Sequence, residues 1–304
     1  ISTQCNITNI EAVKFYSRFA DVMVLARELS LEQVKKITEE IEEQNITGPS
    51  GEFVRIEMFI HGALCMAVSG KCYLSLHEMN RSANRGGCLQ TCRKAYTVTE
   101  KSSGNQLEID NEYIMSPKDL KTIHFLNKIL DAGVTVLKIE GRGRSPEYVQ
   151  TVTQCYREAV EAIIDRSYGE DKIMQWNERL ATVFNRGFWD GYYLGQRLGE
   201  WSHRYGSRAT KRKIYIGKVT NYYSNIGIAE VLVQSHDIEK NEEYLLIGPT
   251  TGVIRSSLNE MRIDKAPEQI KAEKGDFITF PVDEKVRKND KLYKVIPASK
   301  AHQQ

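Results

Sequence analysis

The period of the apolar pattern changes once along this chain, and that change limits the folds open to it. Up to about residue 165, short apolar runs alternate with helical patterns. Residues 21–26 read as a buried strand, and 31–44 as an amphipathic helix opened by Ser30 with Gln33 three positions later, a capping box. Residues 53–60 are the next expected strand. Ile114 and Met115 lead into Ser116-Pro117, the pattern of a helix start with proline at its first position. That helix is expected to run through Leu130 and end near Gly133, ahead of a strand over 134–139. Ser145-Pro146 then opens a long helix to about Asp165. Such alternation predicts a parallel sheet with helical crossovers.

Beyond about residue 210 the texture differs. Residues 214–219, 228–233, 243–247, 252–254, 277–280 and 291–296 are short strand-like runs at even spacing. Turn pieces such as Gly248-Pro249, Lys274-Gly275-Asp276 and Lys288-Asn289-Asp290 separate them, which reads as a small all-β barrel. Between the two textures, residues 171–205 are aromatic-rich and expected to be helical. A basic stretch follows, with Arg204, Arg208, Lys211, Arg212 and Lys213 around Gly206-Ser207. The expected organisation is an α/β region over 1–165, a helical connector over 166–210 and a small β-barrel domain over 211–304.

Four of the six cysteines, Cys65, Cys72, Cys88 and Cys92, fall inside one 28-residue window. Lys71, Arg81, Arg85, Arg93 and Lys94 share it. Thiolates are soft ligands for iron–sulfur clusters or zinc. Nearby cations lower thiol pKa values and offset the charge of a thiolate-held centre. The gaps of six, fifteen and three residues match neither paired zinc ligands nor the ferredoxin spacings. Small buried hydrophobes that happen to be cysteine are the alternative.

Composition fits a cytoplasmic enzyme: 304 residues, 41% hydrophobic and 27% charged, are ample for a large core. Net charge is only +2, so affinity for nucleic acid must come from local basic patches. Cys5 and Cys155 lie far from the window, and reduced thiols are expected. No apolar run approaches the ~20 residues of a membrane span. The opening ISTQCNITN has neither a basic region nor an apolar core, so it does not read as a signal peptide, and it is expected to be strand-like.

The stretch Glu57-Met-Phe59-Ile-His61-Gly62-Ala63-Leu-Cys65, then Gly70-Lys-Cys72-Tyr-Leu-Ser75, resembles the signature of the collagenase-like peptidase family of unassigned catalytic type. Arg81-Ser82-Ala83-Asn84-Arg85-Gly86-Gly-Cys88-Leu-Gln90-Thr-Cys92-Arg93 continues the match. Ser2-Thr-Gln4-Cys-Asn6, Arg27-Glu28-Leu29-Ser30, Ser116-Pro-Lys-Asp-Leu120 and Leu137-Lys138-Ile-Glu140-Gly141-Arg142 agree as well. Phe184-Asn-Arg186-Gly187-Phe188-Trp189-Asp190-Gly191-Tyr192 is similar to a further family motif, with a packed aromatic connector as the plainer reading.

The resemblance implies a (βα)8 barrel of the TIM type, with its site at the carboxyl ends of the strands. Only about five strands precede Tyr148, so comparison with the family implies that the first three strand–helix units, about 110 residues, are absent. A fragment or late start of a longer protein is therefore expected. The β region resembles the second domain of translation elongation factors, which implies RNA contact; basic residues near Tyr222 and Tyr223 could meet phosphates and stack bases.

Despite the name, several family members are oxygen-independent hydroxylation proteins acting on transfer RNA, ribosomal RNA or ubiquinone precursors. The resemblance to them implies a 4Fe-4S cluster on Cys65, Cys72, Cys88 and Cys92. The subfamily pattern implies hydroxylation of the wobble uridine of transfer RNA with prephenate as co-substrate. His61 and Glu57 are then expected to move protons, with Arg27 and Glu28 in the catalytic group. Gln4, Asn6, Lys138, Glu140 and Arg142 are expected to bind the substrate and prephenate, the guanidinium groups clamping carboxylates.

Proteolysis is the competing activity. His77-Glu78 is followed by Met79, Asn80 and Arg81, so no zinc-protease His-Glu-x-x-His pair exists, and no Gly-x-Ser-x-Gly elbow occurs. Cys65 with His61, four residues away, is the best nucleophile–base pair. A non-catalytic scaffold that binds RNA through the β region is a third class.

Overall fold

The structure is a computed structural model that describes residues 1–97, 115–195, 199–202, 206–264 and 270–299. The chain divides into two compact units. The first comprises Ile1–Arg142, Val152–Leu180 and Phe184–Arg208, and the second Gly143–Thr151, Ala181–Val183 and Ala209–Gln304.

The first unit is mixed α/β. Its helices are α1 (Ile10–Ser17), α2 (Leu31–Glu43), α3 (Leu74–Met79), α4 (Leu126–Asp131), α5 (Pro146–Ile164, whose first residues group with the second unit) and α6 (Glu170–Ala181). Its strands are β1 (Val22–Val24), β2 (Arg55–Gly62), β3 (Asp119–Lys121), β4 (Val136–Ile139) and β5 (Phe188–Trp189). β2 lies parallel to β1 and to β4, and Ile7 adds a parallel bridge to Leu25. The capping box is formed: Gln33 N–H donates to Ser30 Oγ at 3.3 Å, and Ser30 N–H donates to Gln33 Oε1 at 2.9 Å. Val34, Ile37 and Ile41 recur at helical spacing and bury one face of α2. Both faces of β2 are covered toward its end, where Met58, Phe59, Ile60 and His61 are all buried.

Three expectations fail here. Ser116-Pro117 does not start a helix. Pro117 bridges Trp201, the N–H of Lys118 donates to the Glu200 carbonyl, and Asp119–Lys121 is a strand antiparallel to β2 and parallel to β5. A residue before proline is pushed toward extended backbone, and tertiary pairing decided the outcome. Ile114 lies outside the described residues. The helix expected over 171–205 stops at Ala181, after which Gly187 (φ +81°) turns the chain into β5; Tyr205 lies outside the described residues. The opening segment is a 3-10 turn over Thr3–Cys5 capped by Ser2, not a strand. The sheet is thus mixed, and no closed barrel is found among the described residues.

The second unit is antiparallel β. Its strands are β6 (Lys211–Tyr223), β7 (Ile228–Val233), β8 (Ile238–Glu239), β9 (Glu243–Gly248), β10 (Gly252–Ser257), β11 (Arg262–Ile263), β12 (Lys271–Ala272), β13 (Phe277–Pro281) and β14 (Lys291–Pro297). Seven of them form one sheet in the order β10-β9-β14-β6-β7-β13-β11, while β8 pairs with β12. All six strand-like runs of the sequence are strands. β7 alternates half-buried and buried residues, and Val219, Val231, Leu246, Ile278, Phe280 and Leu292 meet in the core. Among the described residues, no pairing joins β10 to β11 to close the sheet into a barrel.

Candidate functional site: a cavity lined by four thiols

β2 ends at Gly62 (φ +107°), and the chain leaves the sheet into the segment that carries the clustered cysteines. That segment holds only the six residues of α3 and two single turns, Ala83–Arg85 and Thr91–Arg93. Met66, Tyr73, Met79 and Leu89 are exposed on it, so apolar burial contributes little to its order. Polar bonds hold it instead. The N–H of Leu89 donates to Ser75 Oγ at 3.0 Å, and Tyr96 Oη donates to the Thr91 carbonyl at 2.8 Å. Gly70 takes a left-handed turn (φ +75°), and a Cβ there would lie 2.8 Å from Asn84 Oδ1 and 3.3 Å from Gln4 Cγ.

The segment folds over a cavity of about 250 Å³ lined by Cys65, Cys72, Cys88 and Cys92 together with Gln4, Arg27, Glu140 and Arg142. Four thiols separated along the chain, and four of the expected substrate-binding or catalytic residues, therefore share one wall. All four thiols are free. Burial pushes the Cys92 thiol up, Arg93 opposes that shift, and the other three thiols reinforce it. Among the described residues, no group of three or more His, Cys, Asp or Glu side chains is set to hold a metal ion.

Arg27 Nη2 donates to Ser69 Oγ at 2.6 Å, and its guanidinium lies 5.3 Å from the centroid of Phe59. Arg142 Nη2 donates to the Gly86 carbonyl at 2.7 Å, and its backbone N–H donates to Glu140 Oε1 at 2.8 Å. Thr91 is 3% exposed, and its hydroxyl has no hydrogen-bond partner among the described residues. An unpaired buried hydroxyl costs about 1–3 kcal/mol.

The remaining expected residues stand apart from this wall. Glu57 and Lys138, on the paired strands β2 and β4, form an ion pair at 2.9 Å. His61 is 1% exposed, with Nδ1 3.3 Å from Tyr156 Oη and its ring tilted against Phe188. Asn6 takes a left-handed conformation (φ 52°) after the N-terminal turn, and Glu28 is exposed. His61 and Cys65 are close in sequence, yet His61 is not among the residues lining the thiol cavity.

Sequence reasoning passed over several residues that organise the site. Arg93 was one cation among five, but its guanidinium donates to the Leu64 and Pro117 carbonyls and to Ser116 Oγ. Its position next to Cys92 was the available signal. Tyr193 Oη donates to the Phe59 carbonyl at 2.8 Å, and burial pushes that phenol's pKa up. Tyr156 Oη donates to the Ile60 carbonyl at 2.8 Å and accepts from the Thr122 N–H at 3.0 Å. These tyrosines fix the end of β2, and nothing in their spacing marks them. The aromatic motif packs in the first unit: Trp189 is buried with Nε1 donating to the Lys118 carbonyl at 3.1 Å, and Asp190 sits 3.0 Å from His124 Nε2.

In the second unit some of the basic residues are held in ion pairs. Lys211 pairs with Glu243 at 2.5 Å and Lys213 with Glu147 at 2.7 Å. Tyr222 packs against the core, and Tyr223 Oη donates to Glu230 Oε2 at 3.0 Å. Arg204 lies outside the described residues. No helix among the described residues is long and apolar enough to cross a membrane.

Comparison with known proteins gives a consistent lineage. A protein of Porphyromonas gingivalis (strain W83) called collagenase is 62% identical over 97% of this chain and 71% of its own length. The tRNA hydroxylation protein P1 of Bacillus subtilis is 32% identical over 97% of this chain and 68% of its own. The 23S rRNA 5-hydroxycytidine C2501 synthase of Escherichia coli is 41% identical over 66% of this chain, covering 29% of its own length. The family model described as peptidase family U32 matches residues 1–203, which contain the whole thiol cavity and β1 to β5. The chain belongs to peptidase family U32.

Proposed function

We propose that this chain is an RNA-modifying hydroxylation protein whose cysteine cavity holds a 4Fe-4S cluster, acting on the wobble uridine of transfer RNA with prephenate as co-substrate. One observation carries the reading: Cys65, Cys72, Cys88 and Cys92 line one cavity together with Gln4, Arg27, Glu140 and Arg142. The donor set fits the cluster. Four free thiols line the one cavity, and thiolates are the ligands that an iron–sulfur centre takes. When bound, such a cluster supplies one-electron transfer.

The chain's own residues do the positioning. Arg27 and Arg142 present guanidinium groups on the cavity wall, suited to bidentate contact with a dicarboxylate. Each is steadied by one bond, to Ser69 Oγ and to the Gly86 carbonyl respectively, so the forks are held in place before substrate arrives. Gln4 adds an amide, and Glu140, whose Oε1 accepts the Arg142 N–H, adds a carboxylate within reach of a substrate proton. The ion pair of Glu57 with Lys138 and the contact of His61 Nδ1 with Tyr156 Oη support the strand ends from behind. The strands β1, β2 and β4 with the Ile7 bridge are read as an arc of a (βα)8 barrel, which puts these residues at its carboxyl-end face. The free thiols fit a cytoplasmic, reducing setting.

The relatives named for tRNA and rRNA hydroxylation support an RNA substrate. The 62% identity to a protein called collagenase supports a second reading, proteolysis with Cys65 as the nucleophile. Nucleoside analysis of transfer RNA from cells lacking and regaining the protein separates the two. Hydroxylated wobble uridine that returns with the wild type and not with Cys72→Ser supports the first. Unchanged nucleosides with gelatin or collagen cleavage by the purified protein would replace it with the second.

A further inference from the structure

Arg93 follows Cys92 directly, and its side chain reaches back to the residue before Cys65. Nη2 donates to the Leu64 carbonyl at 2.5 Å, while Nη1 donates to the Pro117 carbonyl at 2.6 Å and to Ser116 Oγ at 3.0 Å. One planar fork thus ties the Arg93 segment to two others, at Leu64 and at Ser116-Pro117, 29 and 24 residues away along the chain. Ser116 is itself buried. Beside Cys88 the ties are different: the N–H of Leu89 donates to Ser75 Oγ at 3.0 Å, and Arg142 Nη2 donates to the Gly86 carbonyl at 2.7 Å.

We propose that Arg93 is the positioning residue of the thiol centre: its fork sets Cys65 and Cys92 in register, and its charge offsets that of a thiolate-held cluster. The proposal rests on the cofactor reading above. A cluster on four thiolates is anionic, and reduction makes it more so, so a half-buried cation beside two ligands favours the reduced state. Cys72 and Cys88 lie on segments that Arg93 does not bond. The clamp therefore acts on one half of the ligand set.

Arg93→Gln and Arg93→Lys separate geometry from charge, because an ammonium keeps the charge but cannot reproduce the fork. Three readouts apply to anaerobically purified protein: amide hydrogen exchange at residues 62–66, the rate of iron release to a chelator, and the midpoint potential. R93Q is expected to exchange faster over 62–66, to release iron at least ~10-fold faster, and to shift the oxidised-to-reduced ratio by about tenfold, 59 mV for one electron, toward the oxidised form. R93K is expected to release iron faster while keeping the wild-type potential. Iron-loaded wild type beside an R93Q protein unchanged in all three readouts overturns the proposal and leaves the cofactor reading standing. Wild type without iron and sulfide removes the cofactor reading and, with it, the role of Arg93 toward the centre. Should R93Q fail to fold, R93K decides alone, and a wild-type release rate from it overturns the proposal.

Discussion

In the second unit, Val219, Val231, Leu246, Ile278, Phe280 and Leu292 meet beneath an antiparallel sheet, so order there follows from apolar burial and a continuous ladder. Around the thiol cavity, Met66, Tyr73, Met79 and Leu89 stay exposed, and order rests on polar bonds such as those of Arg93, Ser75 and Tyr96. The contrast teaches that the two regions respond to different substitutions. A core truncation harms the sheet and spares the site, whereas loss of one ligand or one clamp empties the site and spares the sheet.

Cys72→Ser has the largest expected effect. It should bring modified nucleoside below detection while the sheet unit keeps its wild-type hydrogen-exchange protection. Phe280→Ala reverses that pattern. Phe280 is buried and meets the Tyr244 ring edge-on at 5.2 Å, so about 3–5 kcal/mol of stability should be lost from the second unit in denaturant unfolding, with iron content unchanged. Equal loss of iron in that variant would break the comparison. Arg142→Ala should cost about 1.5–3 kcal/mol of substrate stabilisation, a 10- to 100-fold fall in kcat/KM, with the centre intact. Gly70→Ala places a Cβ at a positive φ beside Asn84 and Gln4. It should cost about 1–2 kcal/mol, seen as faster exchange around the cavity.

The smallest effect is acid-dependent and confined to the sheet unit. Lys271 at 2.8 Å and Lys294 at 3.0 Å hold the Asp237 carboxyl well below the usual carboxylate range. A depressed folded-state pKa contributes stability above the unfolded value, near pH 4, and loses it as pH falls through the folded value. Solvent screening keeps this near 1 kcal/mol or less. Unfolding of the sheet unit should thus grow easier below about pH 4, and Asp237→Asn should flatten that slope. An unchanged slope in D237N would assign the acid sensitivity elsewhere.

The second unit was the easier half to read, because period-two burial writes itself into runs such as Ile228–Val233 and needs no distant partner. The Ser30–Gln33 capping box was legible for the same local reason. Ser116-Pro117 misled because its outcome depends on Trp201 and Glu200, more than eighty residues away. The site was legible as chemistry: four thiols, with Gln4, Arg27, Glu140 and Arg142, reach one cavity. Arg93 and Thr91 were not, since a guanidinium fork to backbone carbonyls and an unpaired hydroxyl leave no pattern in residue type. His61 shows the reverse: its type promised a proton carrier, and tertiary packing buried it against Tyr156 and Phe188.

The most direct test of the thiol centre is iron and acid-labile sulfide content, read with an absorption spectrum, on anaerobically purified wild-type and Cys72→Ser protein. The account predicts about four irons and four sulfides per chain in the wild type, and their loss in C72S. Zinc alone, or no metal together with a reactive Cys65, would contradict it.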